Sequence, residues 1–291
     1  MSDQTPRVAL LYTRIRTEER LLLDSFESLG AEAEPIDLRR QCLNPLESES
    51  WQNFDIAIDR CVSLTASQTL VPLIEAAGLR VVNSARAAAN CADKVTTTSL
   101  LAQAGIPVPA TRVCVGGDAA FEAIHEIGYP AVVKPSVGSW GRLVARVNDD
   151  DAAEALIEHR TTLGGPQQQV FYIQEHIAKP GRDLRVFVVG GEPIAAIARS
   201  SEHWVTNTAR GAQATGLAIS DELGELSVRA AEAMTTDICA VDFLECPERG
   251  LLVNEINHSL EFRNSIDTTG VDIPGLIAGH TLSLARTGSP A

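Results

Sequence analysis

Apolar positions along the chain fall into short runs and helical spacings that alternate through its first third. Residues 8–12 form an unbroken apolar run of strand length, and residues 18–29 set Leu21, Leu22, Phe26 and Leu29 on one helical face before Gly30. A second strand is expected at 54–58, a helix at 70–77 stopped by Gly78, and a third strand at 81–83. Strands and helices in alternation predict a small parallel sheet for residues 1–84. Residues 84–105, rich in Ala and Thr and closed by Gly105-Ile106-Pro107, read as a helical connector, which sets a domain boundary near Ser84.

Beyond Pro109 the pattern changes. Strands are expected at 111–115, 131–135, 143–147 and 170–174, with helices at 119–127 and 150–159. Their short spacing, without strict strand–helix alternation, predicts an α+β lobe with an antiparallel sheet over residues 85–170. A second lobe of that character, 171–291, has strands at 184–189 and 193–199, a helix at 221–234, and two further strands near 238–243 and 251–257. The expected fold is α/β and α+β: a small N-terminal parallel sheet followed by two α+β lobes enclosing a nucleotide cleft.

Charge narrows the partners. The chain of 291 residues has 24 basic and 38 acidic side chains, a net charge of −14, and no block of Lys or Arg. A field of that sign repels nucleic acid and anionic membrane, so neither is expected as a partner. Cys42, Cys61, Cys91, Cys114, Cys239 and Cys246 show no metal-like spacing and read as reduced, mostly core thiols. With no signal-peptide pattern and no apolar run of membrane-spanning length, a soluble cytoplasmic protein is expected.

The chemistry concentrates in two apolar strands that carry acids. Glu255 and Asn257 share a strand face because side chains alternate, and Asp242 can join them from a neighbouring strand. Three hard oxygen donors flanked by apolar runs suit Mg²⁺, which draws the rest of its shell from water and phosphate; a solvated polar face is the poorer reading, since unpaired buried carboxylates are costly. Of the basic residues only Lys94, Lys134 and Lys179 are lysines. Lys134, inside an apolar strand, calls for an anion opposite it, whereas Lys94 is equally readable as a solvated helix residue beside Asp93. The turn Gly138-Ser139-Trp140-Gly141-Arg142 can fold backbone N–H groups around phosphate, although it is neither a P-loop nor a dinucleotide fingerprint.

Taken in order, Lys94, Lys134-Pro135, the 138–142 turn, Gln174-Glu175-His176-Ile177, Gly181 to Phe187, Asp242 and Asn254-Glu255-Ile256-Asn257 resemble the ATP-grasp carboxylate–amine ligases of the RimK-like group. Within that group, residues 202–211 and 258–264 resemble the lysine-biosynthesis ligases of the LysX type, which join 2-aminoadipate to a small acidic amino-group carrier protein ending in glutamate. This resemblance implies two ATP-grasp lobes, ATP and Mg²⁺ as cofactors, and an ADP-forming reaction through an acyl phosphate. It implies ATP contacts from Lys94, Lys134, Gly138, Ser139, Trp140, Gly141, Arg142, Gln174, Glu175, His176, Ile177 and Asp183. Asp242, Glu255 and Asn257 would hold the metal, and Arg185 and Arg199 would act on the transferring phosphoryl group. Substrate contacts would come from Arg199, Asn207, Thr208, Arg210, Glu261, Phe262 and Arg263, and a homo-oligomer is expected. Relatives often have a second glycine where this chain has Ala212.

The attacking amine must lose a proton, and His203 and His258 are the histidines weighed for that task, against the commoner structural role. A basic patch of Arg142, Arg182, Arg199, Arg210 and Arg263 is expected to steer an acidic carrier toward a negative protein. Three alternatives stand beside the leading reading: a glutamate ligase of arginine biosynthesis or of the RimK kind, a ligase of free small molecules, and a nucleotide-binding regulatory protein without turnover.

Overall fold

The computed structural model describes residues 5–46, 51–138, 141–206 and 211–287. Its first sheet is parallel, in the order β2-β1-β3-β4, from β1 (Arg7–Tyr12), β2 (Glu32–Asp37), β3 (Ile56–Asp59) and β4 (Val81–Val82). Val8 and Leu10 face Leu22 and Phe26 of α1 (Thr17–Ser28), while Ala9 and Leu11 face Val71 and Ile74 of α2 (Leu64–Ala76). Helices on both faces explain why the strand is apolar throughout. The helix expected at 70–77 begins at Leu64, because Ser63 Oγ accepts the Ala66 N–H at 3.3 Å and caps it. The sequence reading passed over β2, whose Glu-Ala-Glu-Pro start is tolerated on an edge strand.

The connector breaks at Asp93 into α3 (Ala85–Ala92) and α4 (Lys94–Gln103), the Asp93 carboxylate accepting the N–H groups of Val95 and Thr96 at 2.7 and 3.2 Å. The central lobe follows: β5 (Thr111–Val115), α5 (Gly117–Ile127), β6 (Ala131–Lys134), β7 (Ala145–Val147), α6 (Asp150–Leu163) and β8 (Val170–Glu175). Its antiparallel sheet, β5-β8-β6-β7, closes a core of its own around Ile124, Val133, Phe171 and Ile173. The break placed at 170/171 would cut β8 from its sheet, which runs to Glu175, and Leu101 and Ile106 pack in the C-terminal lobe's core. The strand expected at 143–147 is shortened, because Leu143 sits in a turn with a left-handed backbone (φ 57°).

The C-terminal lobe contains β9 (Arg182–Val189), β10 (Glu192–Ser200), β11 (Gln213–Gly216), α7 (Asp221–Met234), β12 (Ile238–Cys246), β13 (Gly250–Asn257), α8 (Arg263–Thr269) and α9 (Ile273–Thr287). Its antiparallel sheet runs β11-β10-β9-β12-β13. One face, with Val186, Ala198, Val241 and Phe243, packs on α7 and α4. The other is divided. Phe187, Val189, Ile197 and Ala240 share a core with β1, α1 and α9, while the far end of the same face bears Asp183, Arg185, Arg199, Asp242 and Glu255. The N-terminal domain thus supports the half of the sheet behind the charged half.

Candidate active site

The charged half of that sheet floors a cleft of about 670 Å³, walled by the central lobe and by the carboxyl ends of β1 and β3. Strand register places its side chains. Asp242 lies opposite both Glu255 on β13 and Arg185 on β9, so the three share a face, and Asn257 follows Glu255 on it. Between the Asp242–Glu255 and Phe243–Val253 pairs the ladder slips by one residue, leaving Asn254 as the extra one. A bulge re-aims side chains. Here it lets Asn254 and Glu255 both line the cleft, although they are neighbours in sequence.

Asp242 is buried among cations. Arg185 Nε and Nη2 donate to its two oxygens at 2.7 and 2.8 Å, and Arg199 Nη2 approaches within 3.1 Å. Burial alone would raise the Asp242 pKa, but the two guanidiniums outweigh it and hold the group below the usual carboxylate range. Arg199 Nε is buried with no hydrogen-bond partner among the described residues, a donor left over in a cleft built for anions.

All three lysines of the chain line this cleft. Lys134 Nζ donates to Gln174 Oε1 at 2.7 Å and to Asn254 Oδ1 at 3.0 Å, which joins the central lobe to β13. Burial pushes its pKa down to about 8 against the pull of nearby Glu255. Lys94 Nζ donates to Gly138 O at 2.8 Å and stands 4.0 Å from Glu255, and Asp93 bridges to Val137 in the same turn. The reading of Lys94 as a solvated residue therefore gives way to one inside the cleft. Lys179, not assigned a role from sequence, bonds the Asp183 carboxylate and donates to Thr206 Oγ1 at 3.0 Å, while Thr206 also bonds Asp183. What could have drawn notice to it is the rarity of lysine itself.

Gln174, Glu175, His176 and Ile177 lie at the edge where β8 leaves the central lobe, and all four line the cleft. Glu175 is already engaged, accepting from the Ala110 N–H and from Arg249. Trp204 closes this side, with Arg146 of β7 5.6 Å above its ring and His176 and His203 each 6.0 Å away. Gly138, Gly141 and Arg142 line the cleft, and Gly141 adopts a left-handed backbone (φ 63°) that favours glycine. The expected contacts from Ser139, Trp140, Asn207, Thr208 and Arg210 lie outside the described residues.

Three expected contacts fall elsewhere. Phe262 is fully buried in the core shared with the N-terminal domain, under the Arg60 guanidinium at 5.8 Å. Arg263 opens α8 and turns along it to Asp267 at 2.8 Å, since residues four apart meet on a helix. Arg182, expected in the steering patch, is held by Glu245 at 2.6 Å. Arg142 and Arg199 of that patch do line the cleft, as does Glu261. His203 lies exposed, its Nδ1 accepting the Val205 N–H at 3.0 Å, whereas His258 lines the cleft, its pKa lowered by burial.

The donor set fits a divalent cation. Asp242, Glu255 and Asn257 bring hard oxygens, the ligand type that Mg²⁺ takes, to one face of adjacent strands. No three His, Cys, Asp or Glu side chains converge there among the described residues, so a cation would rely on the Asn257 amide and on oxygens from a ligand.

This cleft has known counterparts. Residues 91–280 match the model of the RimK-like ATP-grasp domain. The chain belongs to the RimK-like ATP-grasp family. Residues 8–90 match the LysX preATP-grasp domain. The α-aminoadipate–LysW ligase LysX of Sulfolobus acidocaldarius is 35% identical over 262 residues, covering 89% of this chain and 95% of that protein. The glutamate–LysW ligase ArgX of Sulfurisphaera tokodaii is 31% identical over 269 residues, covering 92% and 95%. The crystal structure of a RimK-domain ATP-grasp protein from Sphaerobacter thermophilus superposes with a TM-score of 0.77 at 35% identity, covering 95% of this chain and 99% of that one. This RimK-like ATP-grasp protein is an ATP-dependent ligase. Among its described residues no helix is long and apolar enough to cross a membrane.

Proposed function

We propose that the protein is the ligase that joins the α-amino group of 2-aminoadipate to the side-chain carboxylate of the C-terminal glutamate of a small acidic carrier protein, in the cytoplasm, as a step of lysine biosynthesis. The observation that carries this reading is the match of the N-terminal domain to one named for LysX, since residues of that domain line the same cleft as the three lysines. In this reading Lys94 and Lys134 hold the phosphates, and Gly138, Gly141 and Arg142 lie against them. Asp242, Glu255 and Asn257 would hold Mg²⁺, which when bound neutralises phosphate oxygens. Arg185 and Arg199, locked on Asp242, present fixed positive charge to the γ-phosphoryl group, so little reorganisation is needed as it transfers.

The carrier's carboxylate oxygen attacks the γ-phosphorus and ADP leaves, giving an acyl phosphate. The amine nitrogen then bonds to the acyl carbon, phosphate departs with the electron pair of the broken C–O bond, and the nitrogen gives up a proton. Enclosure by the central lobe keeps water from the acyl phosphate. The cationic side chains of the cleft oppose the chain's net charge of −14 where an acidic tail must enter.

A second reading, glutamate in place of 2-aminoadipate, is favoured by the similarity to ArgX, and the two amino acids differ by one methylene, worth only about 1–3 kcal/mol in a pocket. The test is the intact mass of a carrier ending in glutamate after incubation with the protein, MgATP and both amino acids. An aminoadipate adduct is expected. A glutamate adduct alone selects the second reading, and an unmodified carrier rejects both.

A further inference from the structure

The N-terminal domain meets the cleft where its strand order turns. From β1 the chain passes to β2 on one side and then to β3 on the other, so the crevice beyond the carboxyl ends of β1 and β3 is the switch point where open parallel sheets bind ligands. Arg16, after β1, lines the cleft together with Cys61, Val62, Leu64 and Thr65, after β3. Arg16 is the charged member of that group, and no step proposed above uses it.

Arg16 is braced from behind. Its Nε and Nη2 donate to Glu19 at 3.0 and 2.7 Å, and Glu19 is fully buried. Glu19 also accepts from Nε of buried Arg60 at 3.2 Å, while Arg60 Nη2 donates to Leu260 O at 2.9 Å. Two guanidiniums thus share the Glu19 carboxylate, and Glu18 and Glu261 stand close enough to act on Arg16 as well. Burial works against the charge on Arg16, but the Glu19 hydrogen bond and the negative charges of Glu19, Glu18 and Glu261 together outweigh it and keep the pKa above the ordinary arginine value. Glu18, alongside, accepts the backbone N–H of Arg263 at 3.3 Å. Arg16 Nη1 is left with Glu261 at 3.4 Å, a long contact to a side chain 45% exposed. In the same segment Ser259 Oγ is buried without a partner among the described residues.

We propose that Arg16 is a specificity residue that binds a carboxylate of the free amino-acid substrate while Glu261 meets its amino group, the zwitterion replacing the long Arg16–Glu261 contact. Ser259 Oγ is a second donor for the same carboxylate. A polypeptide terminus brings carboxylates without an ammonium, and Glu261 repels it, so the pair selects the amino acid over the carrier's tail. The bracing by Glu19 pre-orients the guanidinium and lowers the ordering cost of binding. This inference rests on the ligase reading above.

The test is steady-state kinetics of the full-length protein with MgATP, amino acid and carrier each varied in turn. Arg16→Met is expected to raise the KM for the amino acid about tenfold to a hundredfold, the usual range for losing a hydrogen bond to a charged group, with the KM for ATP unchanged. Arg16→Lys is expected to recover part of the loss, keeping the charge without the planar fork. Glu261→Gln, a change at a half-exposed side chain, is expected to raise the same constant. Should Arg16→Met fail to fold, Arg16→Lys and Glu261→Gln still decide the matter. An unmoved amino-acid KM, or a rise confined to the carrier, overturns the assignment while leaving the ligase reading intact; a wild-type protein that forms no adduct overturns both.

Discussion

At the scale of single residues, the site is governed by how each buried charge is compensated. Lys134 is the sharpest case, because burial takes its pKa down to about 8. Phosphate favours the charged form, so binding nucleotide above that pH must draw a proton from solvent. MgATP affinity is therefore expected to fall as pH rises beyond 8, approaching about tenfold per unit, with proton uptake visible by calorimetry in buffers of different ionisation enthalpy. Lys134→Met is expected to weaken binding and abolish that slope; a slope that survives the substitution assigns the proton elsewhere. Asp242 poses the opposite problem, since it compensates the buried Arg199 and the half-buried Arg185 at once. Asp242→Asn is expected to cost about 3–5 kcal/mol in urea unfolding, and nucleotide, by supplying anionic oxygens to the same arginines, is expected to restore part of that loss.

At the scale of elements, β13 shows how local irregularity serves the site. Deleting Asn254 would restore the ladder, leaving Asp242 opposite Glu255 and Phe243 opposite Val253. Stability is expected to stay within about 1 kcal/mol while nucleotide affinity falls, because Lys134 loses one of two acceptors; an affinity equal to wild type would show that the bulge serves folding alone. Elements with strong periodicity and good caps were legible in the sequence. The helix at 221–234 was read to its residue because Ser220 caps it at one end and the apolar face stops at Met234. The edge strand β2 was not, since Pro and Glu obscure its pattern, nor was the start of α2, where the cap at Ser63 precedes residues of mixed polarity. The same division runs through the site. Asp242, Glu255 and Asn257 could be grouped by strand alternation, but the arginines that hold Asp242 come from register across three strands. Phe262 and Arg263 lie away from the cleft lining because the chain turns into α8 there, and a helix start reassigns faces that strand alternation would have fixed.

At the scale of the whole molecule, the cores partition the chain differently from its sequence order. Residues from β1, α1 and α9 share one core with Phe187, Ile197 and Ala240, so the first and last parts of the chain form one unit, while the central lobe keeps its own. Leu22→Ala is expected to cost about 2–5 kcal/mol and to raise hydrogen exchange in β1 and in the C-terminal sheet together, leaving the central lobe's protection unaltered. Equal loss across all three parts would indicate a single cooperative unit. The distribution of lysine over this architecture has a practical side. Because Lys94, Lys134 and Lys179 all face one cleft, the side-chain primary amines of this protein are found only at its working centre. A reagent that acylates amines, blind to everything else on the surface, becomes in effect an active-site probe, and apart from the chain's α-amino group its rate of incorporation counts how often the cleft stands open and how fully nucleotide occupies it.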